Sequence, residues 1–275
     1  MTHNYHTHTY LCGHAEGRPR DYIENALRNR LQFLGFSDHA PYLFPEGHVS
    51  GFRMKPEKTA LYYTMIGELR EEYEEKTARH EAAPLEIRIG FEMEYYPACF
   101  EKTLEFMHRS SVVLPSGKTA GPEYLILGQH FTKSEYDGIY AGVIRDDEQQ
   151  LKSYTENVIN GIRRGCYSYV AHPDVARYTG PDRIYTAYVR ELCEAAKDLD
   201  VPLDINLLGL TDGRYYPNDR FWEIAADVGA KAVIGCDAHR PANVGAPKEI
   251  AAGEAYAKQF GLTVVPTVRL RKPEI

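Results

Sequence analysis

Histidine and carboxylate residues recur in short motifs along the whole 275-residue chain. The first motif is His6-Thr7-His8, and the last is Asp237-Ala238-His239. Because side chains alternate along a strand with a period of two, both imidazoles of an H-x-H strand point to one face. Such a strand can offer two nitrogen ligands to one metal ion. Five further motifs lie between these two: Cys12-Gly13-His14, Ser37-Asp38-His39, Gly90-Phe91-Glu92, Gly128-Gln129-His130 and Ala171-His172-Pro173-Asp174.

Imidazole and carboxylate groups together are the ligands expected for Zn, Fe or Mn. Glu92, at the end of a predicted strand, could bridge two ions with its two oxygens. Paired ions about 3.5–4 Å apart clamp a phosphoryl group and hold a bridging hydroxide, and coordination lowers the pKa of water from 15.7 to about 7. The ligand types therefore predict a metal centre suited to the hydrolysis of phosphate esters.

These motifs lie on an alternation of short apolar strands and longer helical stretches. The predicted strands are Asn4–Thr9, Phe33–Asp38, Glu86–Glu92, Tyr124–His130, Ser168–His172, Pro202–Asn206, Ala232–Gly235 and Thr263–Thr267. The predicted helices are Pro19–Arg30, Pro56–His80, Phe100–His108, Asp147–Arg164, Asp182–Leu199, Asp219–Val228 and Pro247–Phe260. This order predicts an α/β fold, a (β/α) barrel that forms a single domain over residues 1–275. Most candidate ligands fall at or beyond the carboxyl ends of strands, where barrel active sites lie.

Composition narrows the classes of function. The chain carries a net charge of −7 and shows no basic stripe, so nucleic acid is not an expected partner. Its five cysteines are odd in number and show no CxxC spacing, which favours reduced thiols and a cytoplasmic location. The chain has no uninterrupted run of about 18 apolar residues, so we predict no transmembrane helix. The amino terminus also lacks the basic and apolar regions of a secretory leader.

Taken together, the motifs resemble the PHP family, named for polymerase and histidinol phosphatase, over essentially the whole chain. Within that family they are most similar to the histidinol-phosphate phosphatase branch. The segments that carry this similarity are Tyr5-His6-Thr7-His8-Thr9, Cys12-Gly13-His14, Gly35-Phe36-Ser37-Asp38-His39-Ala40-Pro41, Asp204-Ile205-Asn206 with Gly209-Leu210, and Asp237-Ala238-His239-Arg240-Pro241. The resemblance implies a distorted (β/α)7 barrel with three divalent metal ions, which would be Zn, Fe or Mn.

The resemblance also implies a set of nine metal ligands. The first ion would take His6, His8, Glu92 and Asp237; the second would take Glu92, His130 and His172; the third would take His14, His39 and His239. Every one of these positions carries the residue type that the family pattern requires. A degenerate, non-catalytic homologue is expected to have lost at least one of them.

Five residues near these ligands are candidates for catalysis or substrate binding. Asp38 and Asp174 flank ligand histidines and could orient an imidazole or donate a proton to the leaving alkoxide. Arg177 matches a position where the phosphatase branch tends to carry a basic residue near the substrate phosphate. Asn206 and Arg240 are candidate substrate contacts, and their alternatives are a backbone cap and a surface ion pair.

The expected reaction is therefore hydrolysis of a small phosphorylated substrate, L-histidinol phosphate of histidine biosynthesis, by a metal-held hydroxide between the first two ions. One departure concerns the loop Leu207–Asn218, which carries Thr211-Asp212 where the histidinol branch tends to be more basic. This departure leaves open a PHP phosphoesterase that acts on a nucleotide, a nucleic-acid end, a phosphoprotein or another small phosphate. A non-catalytic metal-binding or regulatory domain is the third alternative.

Overall fold

Strands and helices alternate along the part of the chain that the computed structural model describes, residues 1–274 without the side chain of Glu46. Ile275, the last residue of the predicted domain, lies outside the described residues. The strands are β1 His3–Asn4, β2 Phe33–His39, β3 Glu86–Glu92, β4 Val112–Val113, β5 Thr119–Ala120, β6 Tyr124–Leu127, β7 Tyr167–Val170, β8 Leu203–Asn206, β9 Lys231–Gly235 and β10 Thr263–Val264. The α-helices are α1 Pro19–Arg28, α2 Thr59–Ala78, α3 Phe100–Arg109, α4 Glu148–Arg164, α5 Asp182–Asp198, α6 Leu207–Thr211, α7 Asp219–Val228 and α8 Pro247–Gln259.

Eight of the strands form one parallel sheet in the order β1-β2-β3-β6-β7-β8-β9-β10. The sheet curls until its ends meet, because the segment after β1 pairs with the segment after β9. There the amide of His8 donates to the carbonyl of Ala238 at 3.0 Å, and the amide of Ala238 donates to the carbonyl of His6 at 3.1 Å. The predicted distorted (β/α)7 barrel is confirmed, with β10 added beside the start of β9.

The first strand differs most from its prediction, because β1 ends at Asn4 rather than at Thr9. The side chain of Asn4 explains the interruption. Its amide nitrogen donates to Thr7 Oγ1 at 2.7 Å and to the carbonyl of His6 at 3.2 Å, and its oxygen accepts from the amide of Cys236 at 3.1 Å. The bond to Cys236 occupies a backbone amide that a regular strand would pair with its neighbour.

Two segments outside the predicted strands and helices also contain regular structure. The antiparallel pair β4–β5 forms a small hairpin within residues 110–123. The short helix α6 begins directly after β8, and the side chain of Asn206 accepts from the amide of Gly209 at 2.9 Å. This capping bond satisfies a free helix amide, so the chain turns into a helix where a loop was predicted.

Aromatic side chains fill the barrel below the carboxyl ends of the strands. Tyr5, Tyr124 and Tyr169 are buried in this interior, and the hydroxyl of Tyr124 donates to the carbonyl of Tyr5 at 2.7 Å. A Cβ atom at Gly35 or Gly90 would overlap the Tyr124 ring, so glycine is needed at both positions. Residues 265–271 cross the amino-terminal end of the barrel, where the amide of Val268 donates to the Tyr5 hydroxyl and the amide of Arg271 donates to Ser168 Oγ, each at 3.0 Å. The filled interior leaves the opposite end for the site.

Both ends of α4 follow ordinary capping chemistry. The Asp147 side chain accepts from the amide of Gln149 at 2.9 Å before α4, and α4 ends at Gly165 with a φ of 80°.

Within the described residues, no helix is both long enough and apolar enough to span a membrane. All five cysteines are free and buried.

Candidate metal centre

The predicted ligands come together at the carboxyl end of the barrel. His39 and Glu92 are register partners at the ends of β2 and β3. His130 follows β6, His172 follows β7, and Asp237 follows β9. Since parallel strands end at the same side of the sheet, residues that are far apart in sequence meet there.

The first cluster contains four ligand atoms in close contact. His6 Nε2 and His8 Nε2 lie 3.1 Å apart, and each lies 3.4 Å from Glu92 Oε2. Asp237 Oδ1 lies 3.3 Å from the first nitrogen and 3.1 Å from the second. Bonds of 2.0–2.1 Å to a tetrahedral zinc would separate the ligand atoms by roughly 3.3 Å. The cluster therefore has the size of a metal coordination shell.

Glu92 connects this first cluster to a second one. While Oε2 faces His6 and His8, Oε1 lies 2.7 Å from His172 Nε2 and 3.6 Å from His130 Nε2. A carboxylate whose two oxygens face separate sets of imidazoles has the geometry of a bridge between two ions. Gly128 makes room for it, because a Cβ atom there would overlap the Glu92 carboxylate.

The third predicted set is less regular. His14 Nε2 and His239 Nε2 lie 3.0 Å apart, and the His239 ring stacks on His8 with centroids 4.0 Å apart. His39, the third member, turns its Nδ1 toward Glu92 Oε2 at 3.0 Å. The sulfur of Cys12 also lies beside this set, 3.9 Å from His14 Nε2. All nine predicted ligands thus lie in one continuous cluster, but the third set has no single shared centre as compact as the first.

The charges of the cluster favour cations. Burial would raise the pKa of Glu92, but His39, His6 and His130 hold it well below its usual range. Burial opposes ionisation of Asp237 in the same way, and His6 and His8 again lower the pKa of its carboxyl well below normal. Asp237 Oδ1 is buried and has no hydrogen-bond donor in the described structure, although it faces two imidazoles. An ionised, unpartnered oxygen of this kind suits a metal ion.

Two of these residues have a backbone conformation that residues other than glycine rarely adopt. The φ angles are 30° at His172 and 48° at Asp237, both in the left-handed region. Such strain costs on the order of 1–3 kcal/mol and is concentrated at functional sites. Here it directs both side chains into the cluster from strand ends.

Two predicted candidates lie behind the ligands rather than in contact with solvent. Asp38 is fully buried, and its carboxylate accepts from the amide of His39 at 2.8 Å, from the Thr9 hydroxyl, and lies 3.5 Å from His8 Nδ1. Asn206 is also fully buried, and its amide nitrogen donates to Asp237 Oδ2 at 3.1 Å. Both side chains are placed to orient ligands, which does not support Asp38 as a proton donor or Asn206 as a substrate contact.

Asp174, the other flanking carboxylate, is bound to the outer wall of the site. It accepts from the amide of Asn218 at 2.6 Å and from Trp222 Nε1 at 3.1 Å. Burial raises the pKa of this carboxyl to about 7. Through these bonds Asp174 fixes the end of the 207–218 loop, which forms one side of the cavity above the cluster.

That cavity has a volume of about 340 Å³ and opens directly above the ligands. Its wall includes Arg240, a predicted substrate contact whose Nε also lies 3.6 Å from Glu16 Oε1, and Arg214, which the sequence did not single out. Arg214 donates to the Tyr216 hydroxyl at 2.8 Å. Arg177 does not line this cavity; its guanidinium packs on the Tyr215 ring at 4.9 Å. The cavity therefore has two arginines, Arg240 directly after His239 and Arg214 in the 207–218 loop, three residues beyond Thr211.

A buried ion pair behind His130 was also not predicted. Glu94 Oε1 accepts from His130 Nδ1 at 2.9 Å, and Arg53 donates to both Glu94 oxygens at 3.0 and 2.7 Å. Burial would raise the pKa of Glu94, but Arg53 and His130 lower it to about 2. The only sequence signal was its position two residues after Glu92, which places it on the same face of the extended chain.

The fold and the cluster define a (β/α) barrel with a candidate multinuclear metal centre at its carboxyl end. The sequence model of the PHP domain matches residues 4–207. Because this match covers more than half of the chain, the protein belongs to the PHP domain family.

Two individual proteins are similar over most of their length. The chain is 28% identical over 245 residues to a protein of Deinococcus radiodurans named probable histidinol-phosphatase, with 87% of each chain covered. The fold of this chain is similar to that of histidinol phosphate phosphatase from Lactococcus lactis, solved with zinc, L-histidinol and phosphate. That superposition has a TM-score of 0.66 at 18% identity and covers 96% of this chain and 95% of the other.

Proposed function

We propose that this protein is a metal-dependent phosphomonoesterase that hydrolyses L-histidinol phosphate to L-histidinol and phosphate in histidine biosynthesis. The observation that carries the reaction class is the first cluster, in which His6 Nε2 and His8 Nε2 lie 3.1 Å apart and each lies 3.1–3.4 Å from an oxygen of Glu92 and of Asp237. The similarity to a named histidinol-phosphatase over 87% of the chain supports the substrate. The free cysteines support a cytoplasmic location, which stays a prediction.

Nine residues would hold three divalent ions, of Zn, Fe or Mn. They are His6, His8, His14, His39, Glu92, His130, His172, Asp237 and His239. When bound, the ions would supply a hydroxide nucleophile at neutral pH and positive charge for the phosphoryl oxygens. The protein's own part is to fix the ligands, to exclude water and to place the ester.

The cavity has charges of both signs at its rim. Arg214 and Arg240 would face the phosphate, because guanidinium groups match its geometry with paired donors. Glu16 and Asp212 line the same cavity and could attract the ammonium group of histidinol. Two carboxylates at the mouth would disfavour a polyanionic nucleic acid, which supports a small zwitterionic ester over a nucleic-acid end.

Aromatic residues form the apolar part of the wall. Phe52 lies edge-on to His39 with ring centroids 5.1 Å apart, and it stacks with Phe131 at 6.0 Å. Tyr140 and Tyr216 line the same cavity. These rings could pack against the substrate imidazole and limit access of water to the cluster.

The test compares phosphate release from a panel of esters by wild-type, His8→Ala and Asp237→Ala proteins. His108→Ala serves as a matched control, since His108 lies on the outer helix α3 and bonds to the carbonyl of Pro273. We expect both cluster variants to lose activity while the control keeps it. Undiminished turnover in the cluster variants would refute the metal mechanism. Much more efficient hydrolysis of another ester would reassign the substrate, and absence of hydrolysis with bound metal would favour a regulatory domain.

A further inference from the structure

A buried arginine, Arg53, is one of the contacts that join the segment 40–55, which follows β2, to the metal centre. Arg53 has a side chain only 1% exposed, although arginine is almost never fully buried unless it is paired. Its Nη atoms donate to both oxygens of Glu94, and its Nε donates to Glu135 Oε2 at 2.7 Å. A bidentate bond plus a third bond satisfies most donors of the guanidinium, which explains how the charge is held there.

Glu94 uses its remaining bonding capacity on a predicted metal ligand. Its Oε1 lies 2.9 Å from His130 Nδ1, and because an ionised carboxylate can only accept, Nδ1 donates this bond and Nε2 is the ring nitrogen left to coordinate an ion. That free Nε2 points toward Glu92 Oε1 at 3.6 Å, which is the side where the second ion would bind. A carboxylate on the far nitrogen of an imidazole fixes the tautomer and ring orientation and makes the near nitrogen a stronger ligand.

The same arginine also positions the cavity wall. Its guanidinium lies 4.5 Å from the centroid of Phe52, which is the preceding residue in the chain and lines the cavity. Phe52 is in turn edge-on to His130 with ring centroids 5.7 Å apart. Glu135 belongs to the segment after His130, so Arg53 joins the two segments that flank this ligand.

We infer that Glu94, held by Arg53, is a positioning residue that sets the tautomer of His130 and thereby the affinity of the second metal site. This role rests on the proposed metal centre and adds a residue to it. Arg53 supports the role by keeping Glu94 in place and by fixing Phe52 over the site. Neither residue lines the cavity, so neither is expected to contact the substrate.

The experiment measures metal affinity by competition with a chromogenic chelator, with Zn²⁺ as the probe. Variants are Glu94→Gln, His130→Ala and the double variant. Glu123→Gln is the matched control, because Glu123 is likewise a carboxylate held by arginine, in its case Arg70 and Arg88, but in the described structure it contacts none of the nine ligands. We expect Glu94→Gln to lower the affinity for one of the ions by roughly 10–100-fold. We expect Glu123→Gln to leave the affinity for every ion unchanged.

The double variant separates positioning from a general loss of structure. If Glu94 acts through His130, then Glu94→Gln changes affinity by less than about twofold once His130 is already alanine. An equal loss in both backgrounds would overturn the inference. A second readout needs no metal: two-bond ¹H–¹⁵N spectra of the chelated protein should show His130 protonated at Nδ1, and this preference should be lost in Glu94→Gln.

The outcomes also distinguish this inference from the proposed function. Metal affinity is measured without any ester, so a protein that binds three ions but hydrolyses none would sink the proposed activity alone. Wild-type affinity retained in Glu94→Gln would sink the positioning role alone. If wild-type protein binds no Zn²⁺, both fall together.

Discussion

Replacing Arg214 with methionine tests which arginine serves the substrate phosphate. At an effective dielectric of about 20, two unit charges ~4 Å apart interact by about 4 kcal/mol. The Arg214 side chain is 43% exposed, so solvent screening reduces this value, and we take roughly half of it. A loss of about 2 kcal/mol in transition-state stabilisation corresponds to a decrease in kcat/KM of roughly 30-fold.

The assay is steady-state phosphate release from L-histidinol phosphate at fixed metal concentration. Arg177→Met is the matched control, because Arg177 is also an exposed arginine beside a tyrosine ring, Tyr215, but does not line the cavity. Tyr216→Phe removes the hydrogen bond from Arg214 but keeps the charge of Arg214. We therefore expect a smaller decrease in kcat/KM, of about a few fold. A larger loss for Arg177→Met than for Arg214→Met would refute the placement of the phosphate.

Three further perturbations test the cluster and its surroundings. Gly128→Ala should displace the Glu92 carboxylate and lower bound metal below the wild-type content, measured by elemental analysis; full content would contradict the bridging geometry. Asp38→Asn should reduce hydrolysis of aryl and alkyl phosphates by the same factor, roughly 10–100-fold, because Asp38 orients His8; sparing of the aryl ester, whose leaving group needs no proton, would instead identify a proton donor. Asp174 has a pKa of about 7 when folded and about 3.9 when unfolded, so its contribution to stability is present at low pH and is lost as the pH rises through 7. From pH 5 to pH 8 chelated wild-type protein should lose on the order of 2–3 kcal/mol relative to Asp174→Asn in urea unfolding; parallel pH profiles would contradict this.

Much of the barrel could be predicted because its signals are local. The bounds of β3 and α7 agree with prediction, since alternating apolar runs and capping residues such as Asn218 act within a few residues. The end of β1 could not be predicted. It depends on the bond between Asn4 and Cys236, which are distant in sequence and meet only when the barrel closes.

The same division holds for the site. Candidate ligands could be found because each lies in a short motif at a strand end, where the parallel sheet brings them together. Arg214 and Arg53 could not, because each lies in an irregular segment whose path is set by tertiary contacts. Arg177 matched a family position in sequence. Its backbone amide donates to the carbonyl of Ala141 at 3.0 Å, however, and the Arg177 side chain packs against Tyr215.

The most direct test of the account is phosphate release from L-histidinol phosphate by chelator-treated protein as Zn²⁺ or Mn²⁺ is added back. The nine ligands predict no release without metal, and activity that rises with added metal and saturates as three ions bind per chain. Hydrolysis that persists in the metal-free protein, or that stays absent when three ions are bound, would contradict the central claim.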